Sequence, residues 1–419
     1  MGEVIQRALV PVGRDELSTV AVKAARGELL EGPDASELGR ELGRYVGGGR
    51  TFTFNFCRTA LLVALRCLGL EKGDEVLVPA YTCSIVFEVV LRAGLRPVLV
   101  DADPLTYNVS SEALRKAVGP RTKALLVAHM FGSPCEMGLV AELAEEKGLY
   151  VIEDVAQALG AEYKGRKLGT FGDLAAFSFG PGKNITGGNG GVLIVNNPDL
   201  LERAEELWAR TPEPTWLDVR EAVGNLLALR ALRDRRLYAL AVGAVERWID
   251  ARDLAICRNC LVLAGRARGR LAPTVREAKM PDVCAAVARV QLRKLDAFNK
   301  RRIENAEAMM AVLSGSGLCE LPRAPKGSRS VFTRFVVKVP KGLRAVLRRK
   351  LLRRGIDTDR PYWYLSGLLG TFGRFPVAHD LAERLLALPN SPNVRKTEAA
   401  WVAEELAGLL RRLKGSGGA

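Results

Sequence analysis

The sequence predicts an α/β protein built on a mostly parallel sheet, followed by a smaller C-terminal α/β unit. Three observations lead there. From Thr51 to Asn197, short apolar runs alternate with helix-like stretches, the texture of strands covered by helices on both faces. From Arg334 onward mixed α/β texture resumes after a wholly helical interval. The chain has 419 residues, 48% of them hydrophobic and 26% charged, which suits large cores and excludes a disordered chain, a collagen or a coiled coil.

Residues 1–50 mix Gly, Glu and Arg around weak helical patterning and read as a lead-in segment lying on the rest. The strand candidates are EVLVPA (75–80), PVLVDA (97–102), KALLVAHM (123–130), LYVIED (149–154), AAFSF (175–179) and GVLIVN (191–196). TALLVALRCLGL, SIVFEVVLRAGL, SSEALRKAVG and EMGLVAELAEEKGL supply the helices between them. Residues 200–275 are Leu/Ala/Arg-rich and lack strand patterning. Residues 282–313 read as one long amphipathic helix. RFVVKV, GLRAVLRRKLLRRGI and a closing helix ending near Leu413 make up the C-terminal unit, and GSGGA is a flexible tail. The expected division is a lead-in at 1–50, a large domain at 51–296 with a basic helical insertion at 210–275, and a small domain at 297–419.

Lys and Arg (62) exceed Asp and Glu (47), a net charge of +15 that favours anionic partners. Basic residues are scattered rather than interleaved with aromatics in a stripe, which argues against nucleic acid. Eight cysteines at irregular spacing do not form a disulfide scaffold, and MGEVIQRALV carries no apolar signal, so a cytoplasmic protein is expected. Cys257 and Cys260 form a lone C-x-x-C, which reads as buried thiols rather than a metal site.

The chemistry concentrates in VIEDVAQALGAEYKG (151–165) and GTFGDLAAFSFGPGKNITGGNGGVLI (169–194). Asp154 ends an apolar strand, where ligands of such sheets bind. Lys183 follows Gly182 and precedes Gly187, Gly188, Gly190 and Gly191, so backbone can approach a ligand closely. A lysine held there can be desolvated, lose its proton and attack a carbonyl. Asp154 can pair with a cationic ring nitrogen, with Gln157 and Ser178 between the two. GPGKN is not a P-loop, because Phe177 replaces the first glycine and Asn184 the Ser or Thr. His129, at the end of a strand, is a candidate substrate contact, and Arg334 and Arg360 are candidates for a substrate phosphate or carboxylate.

The block EDVAQALGAEYKGRKLGTFGDLAAFSF…KN…GG resembles the DegT/StrS family of pyridoxal-phosphate (PLP) sugar aminotransferases. TALLVALRCLGLEKGDEVLVPAYT (59–82), VDADPLTYNV (100–109), PDVCAAVARVQLRKLD (281–296), GIDTDRPYWYL (355–365) and LALPNSP (386–392) extend the resemblance. It implies a fold-type I architecture with a seven-stranded sheet. It also implies a homodimer with shared sites and transfer of an amino group, from a donor such as L-glutamate, to a nucleotide-linked keto sugar. Lys183 matches the Schiff-base lysine, Asp154 the carboxylate on the pyridine nitrogen and Gln157 the residue near the ring hydroxyl. Ser178 matches a phosphate ligand, and Thr59 with Ala60 the backbone that holds the phosphate at a helix N-terminus. Lys279 falls where relatives reach the neighbouring subunit's cofactor.

Several positions depart from the family. Cys57-Arg58 stand where Ser-Gly is usual, Cys83 where an aromatic often stacks on the cofactor, and Asn189 where an acid often precedes the paired glycines. Lys183 itself argues against the branch in which histidine replaces it and the reaction becomes a dehydration. The readings kept beside the sugar aminotransferase are other PLP chemistry on the same scaffold, such as a sugar dehydratase or cyclitol aminotransferase, and a non-catalytic binding or regulatory relative. Peripheral membrane contact through 210–275 ranks below these.

Overall fold

Aliphatic runs separated by helices place the strands in one sheet, because each run is too apolar on both faces to border water. The computed structural model describes residues 3–7, 9–246, 276–362 and 374–415. The first helices are α1 (Arg14–Ala25), α2 (Asp34–Val46), α3 (Cys57–Cys67), α4 (Ser84–Arg92), α5 (Ser111–Ala117) and α6 (Met137–Lys147). Among them run β1 (Arg50–Phe54), β2 (Glu75–Pro79), β3 (Arg96–Val100), β4 (Thr122–Ala128) and β5 (Tyr150–Asp154). A ribbon of β6 (Glu162–Tyr163) and β7 (Arg166–Lys167) precedes β8 (Leu174–Ser178) and β9 (Gly191–Val195).

The seven-stranded sheet has the order β1-β9-β8-β5-β4-β2-β3. It is parallel from β8 to β3, while β9 runs antiparallel to both neighbours. All six expected runs are strands of it. The seventh, RTFTF at β1, alternates threonine with phenylalanine rather than running apolar, so it does not stand out; its pairing with β9 identifies it. Side chains alternate between two cores: Ala175 and Phe177 of β8 join one, Leu174 and Ala176 the other, as the two-residue period of a strand requires.

Next come α7 (Leu201–Ala209), α8 (Trp216–Ala231) and α9 (Arg235–Glu246), in the interval read as helical. The C-x-x-C cysteines Cys257 and Cys260 lie outside the described residues. The stretch 282–313 is two helices, α10 (Asp282–Leu292) and α11 (Leu295–Leu313). The break is set by contacts with the N-terminal helix α1. Gln291 Nε2 donates to the Pro11 carbonyl and to Glu16, while Lys294 Nζ is bound by Asp15 and Glu16 of α1, so the chain bends between those anchors. Nearby, the buried Lys23 ammonium meets Glu28, Asp34 and Asp282 at 2.5–2.8 Å.

The C-terminal unit holds β10 (Ser328–Arg329), β11 (Phe335–Lys338), α12 (Arg344–Leu352), α13 (Pro376–Arg384), β12 (Leu385–Leu388) and α14 (Lys396–Gly415). β10 pairs with β6, and β11 with β12. Ala306, Met309 and Leu313 of α11 join Phe335, Val337 and Leu406 in a core of their own. The N-terminus reaches this unit: Ile5 exchanges backbone hydrogen bonds with Gly355 and Asp357, and Arg7 pairs with Asp357 at 3.2 Å and Asp359 at 2.8 Å.

Glu398, in the first turn of α14, takes a bidentate pair from Arg235 at 2.6 and 3.0 Å and both side-chain and backbone bonds from Arg395. Burial alone would raise its carboxyl, but these partners pull it down to about 2. The folded value lies below the ordinary 4.5, so the contribution to stability is complete above that pH and lost as pH falls toward the folded value. Glu398→Gln should therefore flatten the loss of stability across that window, read from urea midpoints against pH.

Candidate active site

The register of the parallel strands levels their carboxyl ends: Asp154 pairs with Ala128 of β4 on one side and Ala176 of β8 on the other. The site forms at this edge. Glu153 and Asp154 point to opposite faces and do different work. Glu153 is wholly buried and accepts backbone N–H groups from Gly169, Phe171 and Gly172 at 2.8–2.9 Å, with His129 Nε2 at 3.1 Å. Burial opposes its ionisation, but these donors hold its carboxyl below the ordinary range.

Asp154 is nearly as buried, and its Oδ1 accepts the Ala156 N–H at 3.0 Å. Burial pushes its carboxyl up against the opposing pull of Lys183 and the Ala156 N–H. Lys183 is half-buried after Gly182, which has a φ of +78°. Burial favours its neutral amine, but Tyr362, Asp154, Cys83 and Cys57 outweigh that and raise it.

The backbone beside Lys183 is fixed from α11. Arg302, a fully buried guanidinium, donates to the Asn184 carbonyl at 2.7 Å and to Asn299 Oδ1 at 3.0 Å, and Asn184 Nδ2 donates to Asn299 at 3.2 Å. Burial draws the Arg302 side chain down to about 9. Close approach shapes the opposite wall: a Cβ on Gly191 would lie 2.4 Å from the Cys57 nitrogen.

Cys83 is the N-cap of α4, and Cys57 is the first residue of α3, whose N-cap Phe56 gives no side-chain bond. Both thiols lie in the electrostatic surroundings of Lys183. Tyr362, contributed by the C-terminal unit, completes the group. Its ring sits 6.1–6.3 Å from Phe131 and Tyr81, with the Arg334 guanidinium 5.7 Å over it. Phe131 holds a φ of +61°, unusual for a bulky residue. The Gln157 Oε1, accepting its N–H at 3.3 Å, and Asn108, accepting the Met130 N–H at 2.8 Å, keep that turn in place.

Each expected site residue has a definite place. Asp154, Lys183 and Cys83 come together. Ser178 is the half-buried last residue of β8. Gln157 is buried with its amide on the Met130–Phe131 turn. The Thr59 and Ala60 N–H groups both donate to the Phe56 carbonyl at 3.1 and 3.2 Å, in the first turn of α3. His129 is fully buried. Its Nδ1 accepts the Cys135 N–H at 3.1 Å, which fixes Nε2–H as donor to Glu153 and leaves no ring nitrogen for a substrate.

Arg334 pairs with Asp359 at 3.5 Å beside Tyr362, and Arg360 belongs to the surroundings of Tyr81. Lys279 stands apart. It pairs with Glu213 at 2.5 Å over the Trp208 ring, in a groove of about 1550 Å³ between α2, β1 and α7. Glu153, Phe131, Tyr362 and Arg302 escaped the sequence reading. Glu153 carried one available signal, the strand-end doublet in which alternate residues must face opposite ways.

Replacing Glu153 by Gln should lower folding stability by about 3 kcal/mol or more, because an amide cannot accept from three N–H groups and an imidazole at once. Urea unfolding reads this directly, and an unchanged midpoint would contradict the assignment.

Residues 12–219 and 258–407 match the DegT/DnrJ/EryC1/StrS aminotransferase family. The chain is 30% identical over 386 residues to the dTDP-3-amino-3,4,6-trideoxy-alpha-D-glucose transaminase of Streptomyces venezuelae, covering 90% of this chain and 87% of that protein. It is 30% identical over 349 residues to the UDP-N-acetyl-3-dehydro-alpha-D-glucosamine 3-aminotransferase of Acidithiobacillus ferrooxidans, covering 82% and 80%. Among solved structures, the aminotransferase TlmJ of Streptoalloteichus hindustanus superposes with a TM-score of 0.76 at 27% identity, over 98% of this chain and 100% of that one. The strand-end site, the sheet that carries it and these matches converge: the chain belongs to the DegT/DnrJ/EryC1/StrS aminotransferase family.

Proposed function

We propose that the protein uses PLP to move an amino group from an amino acid, with L-glutamate as donor, onto a keto sugar carried on a nucleoside diphosphate. The observation that carries this reading is the grouping of a lysine amine and a buried carboxylate at the carboxyl ends of adjacent strands, in a chain of this family. The names of the two relatives, one dTDP-linked and one UDP-linked, support the nucleotide-sugar acceptor. The basic balance of the chain suits a dianionic substrate.

The residues present fit the cofactor. Asp154 is a carboxylate whose burial calls for a cationic partner. The buried Tyr81 and Thr82 hydroxyls, just beyond β2, have no hydrogen-bond partner among the described residues. The start of α3 offers N–H groups without a side-chain cap, as an anion site requires. PLP would lie between Lys183 and Asp154, with Ser178, Cys57 and Arg58 toward its phosphate, and would supply an aldehyde and an electron sink.

The chain's own contribution is control of a proton. Asp154, as a carboxylate, opposes loss of the Lys183 proton. When the Asp154 charge is engaged by a ring nitrogen, it no longer retains that proton, and burial then favours the free amine. Lys183 Nζ would then be the chain's own base, placed to hold and move the proton of the donor's α-carbon. The rings of Tyr81, Phe131 and Tyr362 exclude water from that transfer, and Arg334 stands beside them for an anionic group. We place the enzyme in the cytoplasm as a homodimer, with Lys279 in its groove reaching toward the neighbouring site.

With added PLP, the wild type should show a long-wavelength absorption band that L-glutamate abolishes, and Lys183→Ala should never form that band. A band lost to L-glutamate without amination of dTDP- or UDP-linked keto sugars would redirect the acceptor. Absence of any Lys183-dependent band would defeat the reading. Asp154→Asn should bind PLP yet lower kcat about 100-fold or more, since it removes the charge opposite the ring nitrogen; an unchanged kcat would contradict the role.

A further inference from the structure

α8 and α9 each bury one face and turn the other to water. On α8, Val219, Ala222, Leu226 and Leu229 face inward, whereas Trp216, Leu217 and Leu227 are 63%, 39% and 54% exposed. On α9, Tyr238 and Ala239 are buried, whereas Leu237 and Leu240 are 50% and 71% exposed. These two helices hold five of the nine large exposed hydrophobic residues among the described residues. Single exposed apolar side chains are ordinary, but a concentration marks a contact surface.

The charge pattern says what the surface meets. Arg220, Arg230, Arg233 and Arg236 stand exposed among the leucines, and none of the first three forms an ion pair with a described residue. Helical spacing puts Trp216, Arg220, Leu227 and Arg230 on one stripe of α8. A second copy of this chain docked on the same face would set arginine against arginine. An anionic lipid surface instead takes guanidinium groups at its headgroups and Trp and Leu at the acyl boundary. Among the described residues no helix is long and apolar enough to cross a membrane, so such attachment is peripheral.

We propose that the outer faces of α8 and α9 dock the protein on anionic lipid, with Leu237, Leu240, Leu227 and Trp216 inserting and Arg220, Arg230 and Arg233 pairing with headgroup phosphates. The docking is independent of the Lys183 site and adds a location to the chemistry proposed there.

Flotation of the purified full-length protein tests it, using phosphatidylcholine vesicles with and without phosphatidylglycerol. The wild type should float only with phosphatidylglycerol, and less as salt shortens the range of the charge interaction. Leu240→Ser should reduce partitioning about tenfold; because it alters an exposed side chain, it leaves the core and the Lys183-dependent absorption band intact. Arg220→Glu with Arg230→Glu should reduce it by about tenfold or more. Wild type left in the soluble fraction, or Leu240→Ser floating as well as wild type, would overturn the proposal. Loss of sedimenting mass in Leu240→Ser without any vesicle binding would do so as well, by making this face a contact between copies.

Discussion

Everything at the carboxyl edge of the sheet depends on one buried anion. Glu153 has no exposed surface and is kept charged by three backbone N–H groups and an imidazole. An unpartnered carboxylate there would be intolerable, so the loop from Gly169 to Gly172 has to close over it. That closure delivers β8 beside β5, and β8 leads to Ser178 and Lys183. On the other flank, His129 spans from Glu153 to the Cys135 N–H and so fixes the turn after β4. One side chain therefore sets three strand ends, while its neighbour Asp154, facing the opposite way, is left for chemistry.

A second constraint comes from mixing two units at one site. Lys183 and Asp154 belong to the large sheet, but Tyr362 and Arg334 come from the C-terminal unit. The link is direct: Thr333 donates to the Gln157 carbonyl, Val331 N–H donates to Gly132 at 2.9 Å, and the Tyr362 ring rests on Phe131. The left-handed conformation of Phe131 costs about 1 kcal/mol or more, and the hydrogen bonds to Gln157 and Asn108 offset it. The strain buys a ring in contact with both units, which helps explain why the turn is held so firmly.

Much of this was legible in the sequence. Apolar runs of five to eight residues gave six of seven strands, because buried parallel strands need no polar alternation. Lys183 and Asp154 stood out through the glycines and the strand end around them. Other parts were not legible, for physical reasons. β1 is an edge strand of alternating polarity that takes its identity from β9. The bend between α10 and α11 is imposed by α1 from about 280 residues away along the chain. The start of α3 at Cys57, two residues ahead of Thr59, is a boundary that periodicity cannot resolve. His129 looked like a substrate contact because nothing local revealed that both ring nitrogens were engaged. Tyr362 and Arg302 act through contacts more than a hundred residues distant, which a local pattern does not encode.

The N-terminal segment carries a consequence for how the chain comes to be folded. Ile5 is bonded to Gly355 and Asp357, and Arg7 to Asp357 and Asp359, the residues just ahead of Tyr362. A ribosome makes the second of these partners more than three hundred residues after the first. During synthesis, Arg7 and its neighbours must wait uncommitted while the sheet forms behind them. Contacts of such long sequence separation are slow to close. The wall of the site that holds Tyr362 is thus among the last pieces set, and the large sheet has its strands before that wall exists.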